Sequence, residues 1–266
     1  MTCWRGGLVL FLMLLAVTVT AEPARIAVVI DDLGFRAHQD RAILDLDARI
    51  AVAIIPDAPG AMRLSRQAGE QGRDVLIHLP LAGLYHDNCE PALSCPGLDW
   101  SVEQMSEHLA GALERVPNAI GLNNHQGSRF TRDRDAVGNL IYSLKRLGDY
   151  RGQELFVLDS RTAPDTVLEE TALQAGLAAT RRHVFLDHLA TPEDIERAWQ
   201  DLIRLARRNG SAIAIGHPRP ETIRFLRAAL AELDEEAGVE LVPISSLTRR
   251  RNLLSGLDEP PYPASR

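Results

Sequence analysis

Two adjacent acids end one apolar run of the sequence. Residues 26–34 read IAVVIDDLG, so Asp31 and Asp32 directly follow five apolar residues. Neighbouring residues of a strand point to opposite faces, so the two carboxylates need not do the same job. Two like charges this close resist ionising together unless a positive charge lies nearby. A bound metal ion would supply that charge, and the pair therefore raises the question of a metal site.

Three histidines stand at the ends of other apolar runs. His78 lies in VLIHLPLAG, His125 in IGLNNHQGSRFT and His217 in AIAIGHPRP. One Asp with two His ligands, and water in the open positions, is a common catalytic site for zinc or a similar divalent ion. Either Asp31 or Asp32 completes that set with His78 and His125. A divalent metal, with zinc as the first choice, is therefore the expected cofactor.

The remaining acid and the remaining histidine suit proton transfer. A metal ion lowers the pKa of water and polarises a carbonyl oxygen. The acid that is not a ligand can act as a general base towards that water, and His217 can protonate a leaving group. Plainer interpretations also exist. A histidine in an apolar run, such as His78, is more often a hydrogen-bonded core residue, and His217 can simply end a strand.

Further polar residues follow the same apolar runs. Asn123 and Asn124 precede His125, and Ser128 follows it in a loop rich in hydrogen-bond donors. Asp159 ends the run in LFVLDSRT, where it either belongs to the site or caps the next helix. The sequence has no Gly-x-Ser-x-Gly nucleophile motif and no phosphate-binding glycine loop, so metal chemistry is the main alternative to a purely structural role.

The elements that must position these residues alternate between strand and helix patterns. Ser101 begins a capping box, and Thr191 followed by Pro192 starts a helix that ends near Gly210. This order predicts a parallel sheet, as a (β/α) barrel or an open doubly wound sheet, with the chemistry at the carboxyl ends of the strands. Short apolar runs without polar alternation predict eight strands buried on both faces, at residues 25–30, 50–55, 74–79, 119–123, 154–158, 176–179, 211–215 and 239–242.

Length and composition favour one domain at residues 22–250. The chain has 266 residues, of which 45% are hydrophobic in type, and this is enough for a single α/β core. Residues 1–21 read as a secretory signal peptide, with Arg5 before a short apolar run and small residues before the predicted cleavage site. An uncleaved anchor is the alternative, although the apolar run is shorter than the ~20 residues of a membrane span. Residues 251–266 are proline-rich and predict a loose tail.

Charge and cysteine content bear on the compartment and on partners. The formal net charge of −7 makes nucleic acid and an anionic membrane surface poor partners. A signal peptide predicts a periplasmic or secreted protein, and in such an oxidising compartment Cys89 and Cys95 of NCEPALSC can form a local disulfide. Two free thiols are the alternative. The sequence does not indicate an oligomeric state.

These motifs, with VAIIPDAPGA, LDSRT, RRHVFLDH and ARRNGSAIAIGHPRPET, resemble the divergent polysaccharide deacetylase family of bacterial envelope proteins. The resemblance extends over about residues 25–246. It implies a distorted (β/α) barrel of the glycoside hydrolase/deacetylase kind, with about seven or eight parallel strands. It also implies metal-dependent removal of acetyl groups from N-acetylated sugars, so that the expected partner is an acetylated glycan.

The resemblance also implies a role for each residue. Asp31 corresponds to the catalytic base and His217 to the late catalytic histidine, while the implied metal ligands are Asp32, His78 and His125. Asp159 and Arg182 would be supporting polar residues. Ordinary polysaccharide deacetylases carry both ligand histidines in one His-x-x-x-His-Pro motif, whereas here the second histidine must come from the next strand end.

Two other functions remain open at the level of sequence. The domain can be a non-catalytic periplasmic module that binds a glycan or a protein partner, and such a module need not hold a stoichiometric divalent ion. The same site can also act on a different bond, such as an O-acetyl ester.

Overall fold

The computed structural model describes residues 22–84, 93–233 and 238–250. The predicted signal peptide, Cys89 and the predicted tail lie outside these ranges. The strands are β1 Ala24–Leu33, β2 Ala51–Ile54, β3 Val75–Leu81, β4 Gly121–Gln126, β5 Phe156–Asp159, β6 Ala179–Arg181, β7 Val184–Phe185, β8 Ser211–Gly216 and β9 Val239–Leu241. The α-helices are α1 Ala37–Leu44, α2 Ala61–Glu70, α3 Val102–Arg115, α4 Arg134–Arg151, α5 Leu168–Gln174, α6 Pro192–Asn209 and α7 Pro220–Leu233.

The strands form one parallel sheet that curls into a distorted barrel. Eight of them lie in the order β6-β5-β4-β3-β2-β1-β8-β7, and β9 pairs with the first residues of β1. The two edge strands, β6 and β7, are separated by only two residues of chain, so the ends of the sheet come close together. The predicted barrel of about seven or eight parallel strands is therefore confirmed.

Both faces of the sheet are buried, which explains why the strand sequences lack polar alternation. In β1, Ile26, Val28 and Ile30 belong to the large cluster that packs against the helices. Ala27 and Val29 belong to a second cluster inside the barrel. Apolar side chains of several sizes from other strands, among them Ala53, Leu158 and Ile213, complete this interior, so the barrel is filled rather than hollow.

The helix ends follow their sequence signals. Ser101 forms both hydrogen bonds of the predicted capping box before α3. The Thr191 side chain accepts a hydrogen bond from the Asp194 backbone at the start of α6, and Gly210 ends that helix with φ 81°. Among the described residues, no helix combines the length and the apolar character that crossing a membrane requires.

Two strands depart from the sequence prediction. The strand predicted at residues 176–179 was wrong, because Gly176 has φ 81° and ends the turn after α5, so that β6 begins only at Ala179. Strand β7 was not predicted, since its two residues are too short to show a periodic pattern. It matters for function because the chain after β7 carries a buried acid to the carboxyl end of the barrel.

Candidate metal centre

A β-bulge explains how two adjacent acids reach one site. The pairing of β1 with β2 shifts register between Ile30 and Leu33, and Asp32 adopts a left-handed backbone with φ 60°. A bulge re-aims side chains that would otherwise point to opposite faces. As a result, Nε2 of His78 lies 3.6 Å from Asp31 Oδ2 and 3.1 Å from Asp32 Oδ1.

Three side chains form a compact set of metal-ligating atoms. Asp32 Oδ1 lies 3.1 Å from His78 Nε2 and 2.9 Å from His125 Nδ1, and these two nitrogens are 3.1 Å apart. Ligand atoms around a tetrahedral zinc ion, each bound at about 2.0–2.1 Å, are separated by ~3.3 Å. The side chains of Asp32, His78 and His125 therefore fit a small divalent ion.

The hydrogen bonding of Asp32 supports the same fit. Its Oδ1 atom is buried, and no described residue directs a donor at it with hydrogen-bond geometry, although two ring nitrogens are close. A buried carboxylate oxygen without a hydrogen bond is costly unless a cation compensates it. The orphaned atom is thus explained if a cation binds between the two imidazoles.

The electrostatics of the cluster call for a positive charge. Burial opposes the ionisation of Asp32, yet the His125 and His78 imidazoles lower the pKa of Asp32 far below its usual range. Burial would likewise lower the pKa of His78, but the Asp31 and Asp32 carboxylates raise it to about 9. A proton on His78 supplies the positive charge in the absence of metal, and a divalent ion would displace that proton.

Asn123 orients both His78 and Asp31. Its Oδ1 atom accepts a hydrogen bond from His78 Nδ1 at 2.9 Å, which directs Nε2 of that ring towards the cluster. Its Nδ2 atom donates to Asp31 Oδ1 at 2.9 Å and to Ser160 Oγ at 3.1 Å. Contacts of this kind fix the tautomer and orientation of a ligating histidine.

Asp31 lies beside the ligand set and has the properties of a general base. Only 3% of the residue is exposed, and this burial raises the pKa of its carboxyl group, while the nearby His78 and His217 imidazoles act in the opposite direction. A carboxylate with a raised pKa accepts a proton more readily near neutral pH.

Asp187 is a further candidate residue of the site, and the sequence reasoning missed it. Its Oδ1 atom lies 2.8 Å from His217 Nδ1, and its Oδ2 atom accepts hydrogen bonds from the His217 backbone and from Thr222 Oγ1. Burial lowers the pKa of His217, but the Asp187 carboxylate raises it above its usual value. The opposite ring nitrogen, Nε2, lies 3.8 Å from Asp32 Oδ2 and faces the cluster.

Asn124 and Ser128, the other predicted site residues near the end of strand β4, stabilise loops. Asn124 Oδ1 accepts a hydrogen bond from the Ser160 backbone, and Asn124 Nδ2 donates to the carbonyl oxygen of Gln126. Ser128 Oγ accepts a hydrogen bond from the backbone of Leu84. These contacts connect the loops after β3, β4 and β5, and they leave the ligand atoms to His78 and His125.

Asp159 and Arg182 likewise shape the loop after β5. Asp159 accepts hydrogen bonds from the Arg161 backbone and from Thr166 Oγ1, so it stabilises a turn. Arg182 donates to the carbonyl oxygens of Ser160 and Arg161. Both residues support the site from behind rather than contacting the ligand set.

Cys95 is disulfide-bonded. Its predicted partner, Cys89, lies outside the described residues, so the pairing remains a prediction.

The candidate metal centre opens into a cavity of about 340 Å³. His125, His217 and Phe35 are among its lining residues, and 46% of Phe35 is exposed. Arg36 and Arg219 add positive charge to the same opening. The cavity therefore combines a candidate metal site, a candidate proton donor and one exposed aromatic ring.

Several known proteins are similar to this chain in sequence or in fold. A family model described as divergent polysaccharide deacetylase matches residues 28–248. An uncharacterized Haemophilus influenzae protein is 38% identical over 90% of this chain and 80% of its own length. The uncharacterized Escherichia coli protein YibQ is 35% identical over 92% of this chain and 73% of its own length. The crystal structure of an uncharacterized protein from Agrobacterium tumefaciens C58 superposes with a TM-score of 0.77 at 24% identity, covering 85% of this chain and 90% of that chain.

Proposed function

The chain belongs to the divergent polysaccharide deacetylase family, and from that premise we propose that it is a metal-dependent hydrolase of the bacterial envelope. Its substrate is an N-acetylated sugar of an envelope polysaccharide or of a fragment of one. Its reaction is cleavage of the acetamide carbon–nitrogen bond. The N-terminal segment 1–21 directs it to the periplasm or out of the cell.

The observation that carries the proposal is the ligand triangle beside a second acid. Asp32, His78 and His125 bring three ligand atoms within 3.1 Å of one another, and Asp31 lies next to them. A purely structural histidine pair does not need a buried, orphaned carboxylate oxygen at its centre. A glycan-binding module does not need it either.

Asp32, His78 and His125 would hold a divalent ion, with zinc as the first choice because two imidazoles and one carboxylate suit it. When bound, such an ion supplies Lewis acidity towards the acetyl carbonyl and makes water a stronger acid. The ligand set is open on the side of the cavity, where an acetamide group has room to enter.

The side chains next to the ligand set divide the proton transfers. Asp31, held by Asn123, accepts the proton of the attacking water. His217 donates a proton from Nε2 to the departing amine, while Asp187 holds Nδ1 and stabilises the imidazolium. The Asp187 carboxylate raises the pKa of the His217 ring, which favours the protonated form that a proton donor needs.

Metal content is the first test. We expect the purified protein to bind about one zinc ion per chain, measured by elemental analysis after incubation with zinc and removal of excess. Asp32→Asn and His125→Gln should each lose most of this ion, since each removes one of three ligands. Asp57→Asn is the matched control. Asp57 also follows a strand, but its carboxylate contacts the Ser94 backbone and Arg115 instead.

Turnover is the second test, measured as acetate released from N-acetylglucosamine oligomers. We expect zinc-dependent release by the unaltered protein and by Asp57→Asn, and none by Asp32→Asn or His125→Gln. Asp31→Asn should keep its zinc but lose turnover by a factor of 10² or more, as is usual when a general base is removed. A protein that binds no divalent ion would contradict the proposal and favour the binding module. Release from O-acetylated sugars alone would move the activity to ester bonds.

A further inference from the structure

A second cavity, larger than the first, lies between helices α1 and α7. Its volume is about 440 Å³. We call it the α1–α7 groove, and it is lined chiefly by His38, Arg41, Asp45, Ile223, Arg224 and Arg227. Three arginines and one histidine therefore face a single carboxylate, in a protein whose net charge is −7.

The three arginine side chains of the groove are exposed and available to a ligand. Arg41, Arg224 and Arg227 are all exposed, and none makes an ion pair with another residue of the part of the chain that the structure describes. Some exposed arginines elsewhere, such as Arg132, do pair with acids. In the groove, three guanidinium groups share one carboxylate, that of Asp45, so positive charge is in excess there and this arrangement favours an anionic ligand.

The groove and the metal-centre cavity are lined by neighbouring residues of the chain in two places. Phe35 and Arg36 line the cavity and are followed directly by α1, whose first turn lines the groove. Pro218 and Arg219 line the cavity, and Pro220, the first residue of α7, lines the groove. A polymer with one sugar at the metal centre would thus extend along α1 and α7.

We propose that the α1–α7 groove binds an anionic stretch of the glycan whose acetylated sugar occupies the metal centre. This inference rests on the proposed function and specifies its substrate class: a polysaccharide that carries carboxylate or phosphate groups near the acetylated unit. The arginines suit such groups because a guanidinium donates two parallel hydrogen bonds to them. The apolar floor, which includes Ala42 and Ile223, suits the C–H face of a sugar ring.

The concave shape favours a glycan over an anionic membrane. A lipid surface is recognised by cations that project from a protein surface, whereas here the arginines line a cavity whose first residues directly follow residues of the candidate site along the chain.

The test measures binding apart from turnover. Hexagalacturonate is the anionic probe and cellohexaose the neutral one, both titrated calorimetrically at low and high salt. We expect hexagalacturonate to bind, with affinity falling as salt rises. In the Arg41→Gln, Arg224→Gln, Arg227→Gln variant its affinity should fall about tenfold or more, as expected for losing three charge contacts. The control triple Arg66→Gln, Arg151→Gln, Arg208→Gln makes the same charge change at exposed positions outside the groove and should lose less than threefold.

Three results would overturn the inference. The first is an equal affinity of the unaltered protein and the groove variant for hexagalacturonate. The second is an equal loss of that affinity in the control triple, which would show that only the net charge of the protein matters. The third is that the unaltered protein sediments with phosphatidylglycerol vesicles and the groove variant does not. Asp32→Asn separates this inference from the proposed function. If Asp32→Asn binds hexagalacturonate normally but the unaltered protein releases no acetate, the groove stands and the deacetylase proposal fails.

Discussion

Asp187 shows how one buried side chain sets the chemistry of another. It is completely buried and holds the Nδ1 atom of His217, whose other nitrogen faces the metal centre. We expect Asp187→Asn to reduce turnover by 10² or more while the zinc content stays near one ion per chain, because Asp187 touches no metal ligand atom in the ligand triangle. Acetate release and elemental analysis on the same sample check this.

The same variant has a distinct pH signature. His217 acts in its protonated form, so activity is lost as pH rises through its pKa, which the Asp187 carboxylate raises. Removing that carboxylate lowers the pKa, and the alkaline loss of activity should move to lower pH. Thr222→Val removes only the hydroxyl contact to Asp187, so the pH at which activity is lost on the alkaline side should hardly change. An alkaline limb that does not move in Asp187→Asn would show that His217 is not the proton donor.

At the residue scale, the sequence points to the ligands better than to their partners. His78, His125 and one of the two acids, Asp31 or Asp32, could be proposed because polar residues after apolar strands meet at the carboxyl ends of a parallel sheet. The resemblance to the family implied that the acid is Asp32. The distances between the two acids and the histidines could not be predicted from the sequence, since they depend on a bulge and a left-handed backbone at Asp32. Asp187 follows a two-residue strand, and only the polar residue after VFL in RRHVFLDH marks it.

At the scale of elements, the turn after β1 determines where Asp32 lies. Gly34 has φ 121°, a conformation that L side chains rarely adopt, and its carbonyl oxygen accepts a hydrogen bond from the Gly60 backbone. A Cβ atom at Gly34 would approach the Cβ atom of Ala58 to 2.4 Å. The turn therefore packs closely against the start of the next loop, and only glycine fits there.

We expect Gly34→Ala to lower both stability and metal affinity. Backbone strain and overpacking together should reduce the free energy of unfolding by about 3 kcal/mol. Because the turn supports Asp32, zinc affinity should also fall about tenfold or more. Urea unfolding and competition with a zinc chelator measure the two effects.

Gly72→Ala is the matched control for that substitution. Gly72 also has a positive φ, of 69°, but no atom lies within 4 Å of a Cβ built there. It should cost about 1 kcal/mol from strain alone and leave zinc affinity unchanged. Equal effects of the two substitutions on zinc affinity would mean that the turn does not position Asp32.

The strand and helix pattern was largely predictable for a physical reason. Strands buried on both faces read as apolar runs, and helices begin with side-chain caps, so both leave local signals. Strand β6 was displaced because the apolar residues around Leu177 pack in the turn after α5, not in the sheet. No local signal distinguishes apolar residues of a turn from those of a short strand.

At the scale of the whole molecule, the two ends of the barrel do different work. The carboxyl ends of the strands carry the candidate ligands, the bulge and the cavity lined by Asp32, His125 and His217. At the opposite end, the buried guanidinium of Arg73, just before β3, donates hydrogen bonds to four backbone carbonyls, those of Leu44, Leu46, Asp47 and Ile50. This single side chain fixes the connection between α1 and β2 and satisfies backbone groups that are shielded from water.

Arg73→Met should therefore weaken the fold without touching the metal centre. The substitution keeps much of the side-chain volume but removes the guanidinium donor from all four carbonyl groups, of which those of Leu44 and Asp47 keep a second donor. We expect a loss of about 2–4 kcal/mol in the free energy of unfolding. Arg66→Met, at an exposed position on α2, should change it by less than ~0.5 kcal/mol. Zinc stoichiometry at low temperature, where both variants remain folded, should equal that of the unaltered protein. The packed interior of the barrel implies that a change at the amino ends of the strands does not reach the metal site at their carboxyl ends. Loss of zinc in Arg73→Met without loss of stability would contradict this and show that the two ends are coupled.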